Sequence, residues 1–206
     1  QFSPTSQQGR VTKTSPEGAI DYPIEPVIFA LGAEATFVAR TADTMSQHME
    51  RTLLNAARHK GTSFVEILQH CVIFDHHGWE HLTGREVRDD RLVLLEEGQP
   101  ITFGKDPKKG IRSVGDALEV VDLESGEFSE ADLLVHDSGT MNYLYSRMIA
   151  RMNHPEFPVP LGVIRAMTSR QTYEDALQIK LQAAAEKRPP EDLESLIQGT
   201  DSWVVE

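Results

Sequence analysis

Cys71 is the only cysteine in the chain, and it stands in the stretch richest in potential ligands: His70, Cys71, Asp75, His76, His77 and His81 fall within twelve residues. Zinc sites are built from these residue types, but the spacing matches no zinc-ligand pattern, and the acidity of the segment favours an exposed connection. A lone cysteine after a buried strand ordinarily packs as a small core hydrophobe. The alternative is a thiolate ligand or a reactive thiol. Two further stretches hold chemistry-bearing types. His136-Asp137-Ser138 has the composition of a hydrolytic triad, but consecutive side chains diverge whereas a triad converges in space, so Asp137 or Ser138 reads better as a helix cap. Gly104–Gly110 is basic and glycine-bounded but lacks the Gly-Lys-Ser/Thr end of a phosphate-binding loop, so it reads as a turn. With Lys105, Lys108, Lys109 and Arg112 it is also the main basic island of the chain, which allows a docking role. The GxGxxG, CxxC and HExxH patterns do not occur.

The elements that must position Cys71 are the clearest in the sequence. Thr36–Arg40 is apolar on both faces, as a strand covered on both sides would be. A helix is expected over Met45–Lys60, opened by a capping-box pattern at Thr44 and Gln47 and closed by Gly61. Its Met45, Met49, Thr52, Leu53 and Ala56 share helical spacing and form an expected buried stripe. Ser63–Gln69 is a second strand. A strand, helix and strand of this length make one βαβ unit with parallel strands, and ligands of such sheets sit outside the carboxyl ends of the strands. Arg40–Asp43 and Gln69–Cys71 both leave at that edge.

Around this unit the chain reads as follows. Gln1–Pro26 is a polar, proline-bearing arm, by composition a mobile terminus. Val27–Leu31 is a short helix after Pro26. Residues 75–99 form a charged, solvated connection. Pro100–Phe103, Gly110–Val114, Leu118–Val121 and Leu133–Val135 are short strand-like pieces of a β-rich appendage. Met141, Leu144, Tyr145, Met148, Ile149 and Met152 make a helical stripe of core type, Val159–Arg165 a strand, and Thr172–Lys187 and Glu191–Gln198 two final helices.

The 206 residues allow one large domain or two small ones, and 39% hydrophobic with 25% charged residues is an ordinary globular composition. A formal net charge of −12 argues against nucleic acid and against an anionic membrane surface. One cysteine excludes an internal disulfide and fits a reducing, cytoplasmic setting. No apolar run approaches the length of a membrane span. Residue-level reading therefore ends at an acidic, cytoplasmic α/β protein whose cysteine stands at a ligand edge.

Several stretches taken together resemble a known family. Gln1–Ser6 (QFSPTS), Gly32–Arg40 (GAEATFVAR) and Phe64–Phe74 (FVEILQHCVIF) are similar to the β subunits of 2-oxoacid:ferredoxin oxidoreductases, particularly the 2-oxoglutarate type. Glu97–Pro100, Phe103-Gly104, Asp132–Asp137 and Pro160–Val163 resemble their C-terminal extension. The resemblance implies an α/β fold: residues 1–80 as the C-terminal half of a thiamine-pyrophosphate-binding, three-layer parallel-sheet domain, and residues 81–206 as an α+β extension. It implies thiamine pyrophosphate, Mg²⁺ and a [4Fe–4S] cluster as cofactors, and an α subunit as partner. The implied reaction is oxidative decarboxylation of a 2-oxoacid to an acyl-CoA, with electrons passed to ferredoxin. By the same likeness Cys71 is a cluster ligand, and Gln1, Ser3 and Thr5 lie beside the cofactor. The family's other cluster cysteines and its GDG…N motif lie upstream of the matched blocks, so the chain is expected to correspond to a C-terminal portion that alone holds neither cluster nor cofactor. The family usually has Asn and small residues where this chain has Asp75-His76-His77. The basic island Lys105, Lys108, Lys109 and Arg112 becomes a candidate dock for an acidic ferredoxin. The competing expectation is a non-catalytic, acidic α/β docking subunit.

Overall fold

In the computed structural model, which describes residues 3–73, 77–106, 108–187, 192–199 and 203, the βαβ unit forms as its pattern requires. Strand β1 is Phe37–Ala42, helix α2 is Ser46–Arg58 and strand β2 is Ser63–Leu68, following a short helix α1 at Pro26–Gly32. β1 and β2 pair in parallel, Phe37 opposite Ser63 through Ala42 opposite Leu68. Both strands therefore end at one edge, where Asp43 and His70 emerge.

Chain contacts divide the protein into two units, Gln1–Thr168 and Ser169–Glu206. In the first unit the sheet has four strands in the order β2-β1-β7-β3, where β3 is Leu92–Leu94 and β7 is Val159–Ala166. β7 lies antiparallel to β1, with a register shift between Val38 and Ala39, and β3 runs parallel to β7. The sheet is thus mixed, and it draws strands from both sides of residue 80. Period-two alternation sets its layers. Thr41 hydrogen-bonds His48 on α2, so α2 covers one face. Val38, of opposite parity, packs with Val27, Ala30 and Leu31 of α1 and with Tyr145 and Ile149 of helix α5 (Tyr143–Arg151), which cover the other. Arg40 and Glu66, opposite each other across β1 and β2, form a largely buried ion pair at 2.5 Å.

Two short helices, α3 (Glu80–Thr83) and α4 (Arg88–Arg91), occupy the connection expected to be solvated. The appendage is a three-stranded antiparallel sheet of β4 (Thr102–Phe103), β5 (Lys109–Val114) and β6 (Ala117–Asp122). Leu133–Val135 does not form a strand. It is held by single bonds, Leu134 N–H to Ile111 O at 2.8 Å and Ile101 N–H to Leu134 O at 2.9 Å, and by a bridge between Val135 and Pro100.

The expected core faces are partly rotated. On α2 the buried side chains are His48 and Thr52, while Leu53 is 41% exposed. Two hydrogen-bonded polar groups replace leucine on the inner face: His48 bonds Thr41 through Nδ1, and the Thr52 hydroxyl returns to the His48 carbonyl at 2.8 Å. On α5 Tyr145, Ser146, Ile149 and Ala150 point inward, Met152 just beyond is buried, and Met141 and Leu144 are exposed. The capping box at Thr44 does not form; Met45 occupies the N-cap position without a side-chain bond. Asn142, rather than Asp137 or Ser138, caps α5 by accepting from the Leu144 N–H at 3.0 Å.

In the second unit helices α6 (Tyr173–Lys187) and α7 (Leu193–Gln198) bury no residue. The Asp192 side chain caps α7 through the Ser195 N–H at 2.7 Å. Among the described residues no helix is long and apolar enough to cross a membrane.

Candidate functional site at the carboxyl edge of the parallel pair

The loops leaving β1 and β2 are tied together. The Asp43 carboxylate accepts from the His70 backbone N–H at 2.9 Å and faces His70 Nδ1 at 3.2 Å, while the Asp43 N–H donates to the Leu68 carbonyl at 3.1 Å. Burial alone would raise the Asp43 carboxyl. The His70 hydrogen bonds and charge outweigh it and hold the group below its ordinary range. This clamp fixes the backbone of the residues that deliver Cys71, which is exposed.

The N-terminal arm is folded rather than mobile. Gly9 N–H donates to the Ala19 carbonyl at 2.7 Å, Ala19 N–H donates to the Arg10 carbonyl at 3.0 Å, and Ile24 N–H donates to the Pro4 carbonyl at 2.8 Å. The loop so closed crosses itself at two glycines with φ of +80° and +85°, and a Cβ on Gly18 would stand 2.8 Å from the Gly9 carbonyl oxygen. A buried Ala19 anchors it. At the start of the arm Ser3 Oγ lies 2.9 Å from Thr5 Oγ1 and 3.3 Å from Ser6 Oγ, a small cluster of hydroxyls.

Arm and cysteine meet. Ser3–Arg10 line one side of a cavity of about 970 Å³ whose other side is Gln69, Cys71, His77, Gly78, Trp79 and His81. Ser3, Thr5 and Cys71 thus line one cavity, though they are far apart in sequence. Gln1 and His76, with Asp75, lie outside the described residues. His77 and His81 join the lining, and His77 Nδ1 is 2.5 Å from Glu80 Oε2. Among the described residues no group of three His, Cys, Asp or Glu side chains is placed to hold a metal ion. A single thiolate cannot by itself ligate an iron–sulfur cluster. Trp79 and the Asp43–His70 clamp were missed in the sequence; the signal for the clamp was an aspartate directly after β1 at the ligand edge.

Two other expectations resolve elsewhere. His136 is 2% exposed and lies outside this cavity. Its Nε2 is 2.8 Å from the Val163 carbonyl, which can only accept, so Nε2 carries the proton and Nδ1 accepts from the Tyr145 hydroxyl at 2.8 Å. Burial holds this imidazole below its ordinary pKa and pushes the Tyr145 hydroxyl up to about 12. Ser138 donates its N–H to Glu97 at 3.1 Å and takes no part in a triad. In the basic island each cation faces a carboxylate: Lys105 meets Asp89, Lys108 meets Glu130 at 2.6 Å, Lys109 meets Asp90 at 3.5 Å and Arg112 meets Glu119 at 3.3 Å. The island is locally neutral.

Fold and site together define an α/β protein in which a parallel strand pair and a folded arm bring a thiol and hydroxyls to one cavity. No established family model matches the chain. It is 36% identical, over all of its length and 55% of the relative's, to the 2-oxoglutarate oxidoreductase subunit KorB of Mycobacterium tuberculosis. It is 30% identical to the 2-oxoglutarate synthase subunit KorB of Archaeoglobus fulgidus, over 58% of this chain and 46% of the relative. With the 2-oxoacid:ferredoxin oxidoreductase 1 β subunit of Aeropyrum pernix it shares 31% identity over 47% of this chain and 29% of that protein. Among solved structures, a 2-oxoglutarate:ferredoxin oxidoreductase from Magnetococcus marinus with 2-oxoglutarate, coenzyme A and succinyl-CoA bound matches with a TM-score of 0.61 at 20% identity, over 96% of this chain and 51% of that one. The chain is thus similar along its whole length to a 2-oxoglutarate oxidoreductase subunit, and over shorter stretches to 2-oxoacid:ferredoxin oxidoreductase β subunits, and it spans about half the length of the curated relatives it matches.

Proposed function

We propose that this chain is part of the β subunit of a 2-oxoglutarate:ferredoxin oxidoreductase. The complete enzyme would convert 2-oxoglutarate and coenzyme A to succinyl-CoA and CO₂ and pass two electrons to ferredoxin. The observation that carries this reading is similarity along the whole chain, at 36% identity, to a relative named for 2-oxoglutarate oxidation. The cavity shared by Ser3, Thr5 and Cys71 supports it, because the residues that the family likeness assigns to cofactor and cluster lie on one surface. The non-catalytic docking subunit is not favoured by these similarities.

When bound, thiamine pyrophosphate with Mg²⁺ supplies the electron sink for decarboxylation, and a [4Fe–4S] cluster carries single electrons. This chain would offer Cys71 as one of the cluster's thiolates, and Ser3 and Thr5, with Gln1, beside the cofactor. Its own contribution is positional. The Asp43–His70 clamp fixes the backbone approaching Cys71, and the glycine crossing holds the hydroxyl cluster of the arm against the same cavity. The remaining ligands, and the α subunit as partner, would come from outside the chain.

The test is to produce the complete subunit together with its α subunit. Iron, acid-labile sulfide and thiamine pyrophosphate should copurify, and a low-potential acceptor should be reduced only when 2-oxoglutarate and coenzyme A are both present. A complex without these groups and without substrate-dependent reduction would overturn the reading.

A further inference from the structure

A second cleft, of mixed polar and apolar lining, runs along α2 and shares no lining residue with the Cys71 cavity. One part, about 590 Å³, is lined by His48, Arg51, Asn55 and Arg58 on one wall and by Glu96 and Glu97 on the other. The next part, about 710 Å³, again includes His48 and Arg51 and continues past the first turn of α2. These two residues therefore stand where the two spaces join. Arg51, Asn55 and Arg58 recur at helical spacing and form one donor-bearing face.

His48 is the informative residue. It is 8% exposed, and its Nδ1 is 2.8 Å from the hydroxyl of Thr41, which is itself fully buried. If Nδ1 donated, the Thr41 hydroxyl proton would be sealed in the core without an acceptor, at a cost of about 1–3 kcal/mol. The hydroxyl therefore donates, Nδ1 accepts, and the proton of the neutral ring sits on Nε2. Nε2 has no hydrogen-bond partner among the described residues. No buried side-chain nitrogen or oxygen among them lacks one, so Nε2 opens into the cleft. A pre-oriented donor thus shares the cleft lining with the guanidinium-bearing Arg51 and Arg58. Arg51 and Arg58 form no ion pair among the described residues, whereas the basic island is neutralised throughout. Burial and the nearby Arg51 charge both keep His48 neutral, and Glu96 opposes them only in part. Glu97 is engaged by the Ser138 N–H at 3.1 Å.

We infer that this cleft is an oxyanion site for a phosphate group, with Arg51 as its charged anchor, Arg58 as a second cation in its lining and His48 Nε2–H as its buried donor. A tetrahedral oxyanion accepts several hydrogen bonds at once, which suits a cleft lined by an imidazole and two guanidinium-bearing side chains. The phosphate could be inorganic or carried on a small ester.

The experiment is calorimetric titration of inorganic phosphate, and separately of glycerol 3-phosphate, into the complete protein at constant ionic strength against a chloride control. Wild type should bind at least one of them saturably. Arg51→Gln, a surface change that leaves the Thr41–His48 bond intact, should weaken binding at least about tenfold, the loss of one charge-assisted bond. His48→Gln should weaken it too, with unfolding monitored in parallel. Tighter binding of the ester assigns an esterified phosphate, and equal or tighter binding of the inorganic ion assigns free phosphate. No saturable binding in wild type, or an unchanged affinity in Arg51→Gln, would overturn the inference.

Discussion

Tyr145→Phe removes one oxygen atom and isolates a buried histidine. The Tyr145 hydroxyl donates to His136 Nδ1 at 2.8 Å and accepts from the Asp137 N–H at 3.2 Å. His136 cannot turn to find another partner, because its Nε2–H is engaged by the Val163 carbonyl and the ring is 2% exposed. Its Nδ1 would then be a buried, unsatisfied acceptor, a penalty of about 1–3 kcal/mol, added to a net loss of about 1 kcal/mol for the bond itself. Asp137 is exposed, so its N–H regains water and adds little. The expected loss is about 2–4 kcal/mol of stability, read from the midpoint of denaturant unfolding of the complete subunit at unchanged slope. Phenylalanine keeps the ring packed against the core, so cavity formation does not account for such a loss. A destabilisation below about 0.5 kcal/mol would refute the assigned tautomer and the claim that this bond orders the junction of β7, α5 and the Leu133–Val135 stretch.

Other outcomes follow from the same structure. His136, His48 and His59 all have folded pKa values below the ordinary 6.5, chiefly through burial, so the unfolded chain binds protons that the folded chain refuses. Stability should be fully present above pH 6.5 and fall as pH drops from there toward the folded values; a flat profile between neutral pH and pH 5 would contradict the buried neutral rings. Gly18→Ala must place a Cβ against the Gly9 carbonyl at positive φ, so it should open the arm by about 1–2 kcal/mol or more and speed limited proteolysis within residues 3–25. Leu53→Ala should cost less than about 1 kcal/mol because the side chain is 41% exposed, whereas Leu161→Ala, fully buried, should cost about 2–5 kcal/mol; chemical denaturation of the two variants gives the comparison.

The βαβ unit was legible because several signals agreed over one stretch: a doubly apolar strand, a helix closed near Gly61 and a second strand, with boundaries that the structure moves by one or two residues. The inner face of α2 was not legible from hydrophobicity, since His48 and Thr52 are buried through hydrogen bonds rather than apolar character. The partner of β1 on its other side was also hidden. Val159–Arg165 was readable as a strand, one residue short of the observed β7, but its antiparallel insertion between β1 and β3 depends on long-range packing that no local pattern encodes. Half of the candidate site was legible: the carboxyl-edge argument located Cys71 from spacing alone. The arm was not, because polar composition resembles mobility, and only the crossing of Gly9 and Gly18 with the buried Ala19 shows why this polar segment folds.

The most direct measurement of the central claim is electron paramagnetic resonance of the reduced, complete enzyme with Cys71→Ser beside wild type. Cys71 shares its cavity with Ser3 and Thr5, and it is the only thiolate this chain can offer. If it is one of the cluster ligands, the wild-type signal should be lost or converted in the variant, with iron content reduced and the fold retained by circular dichroism. An unchanged signal at full iron content would contradict the assignment of Cys71 and the site built around it.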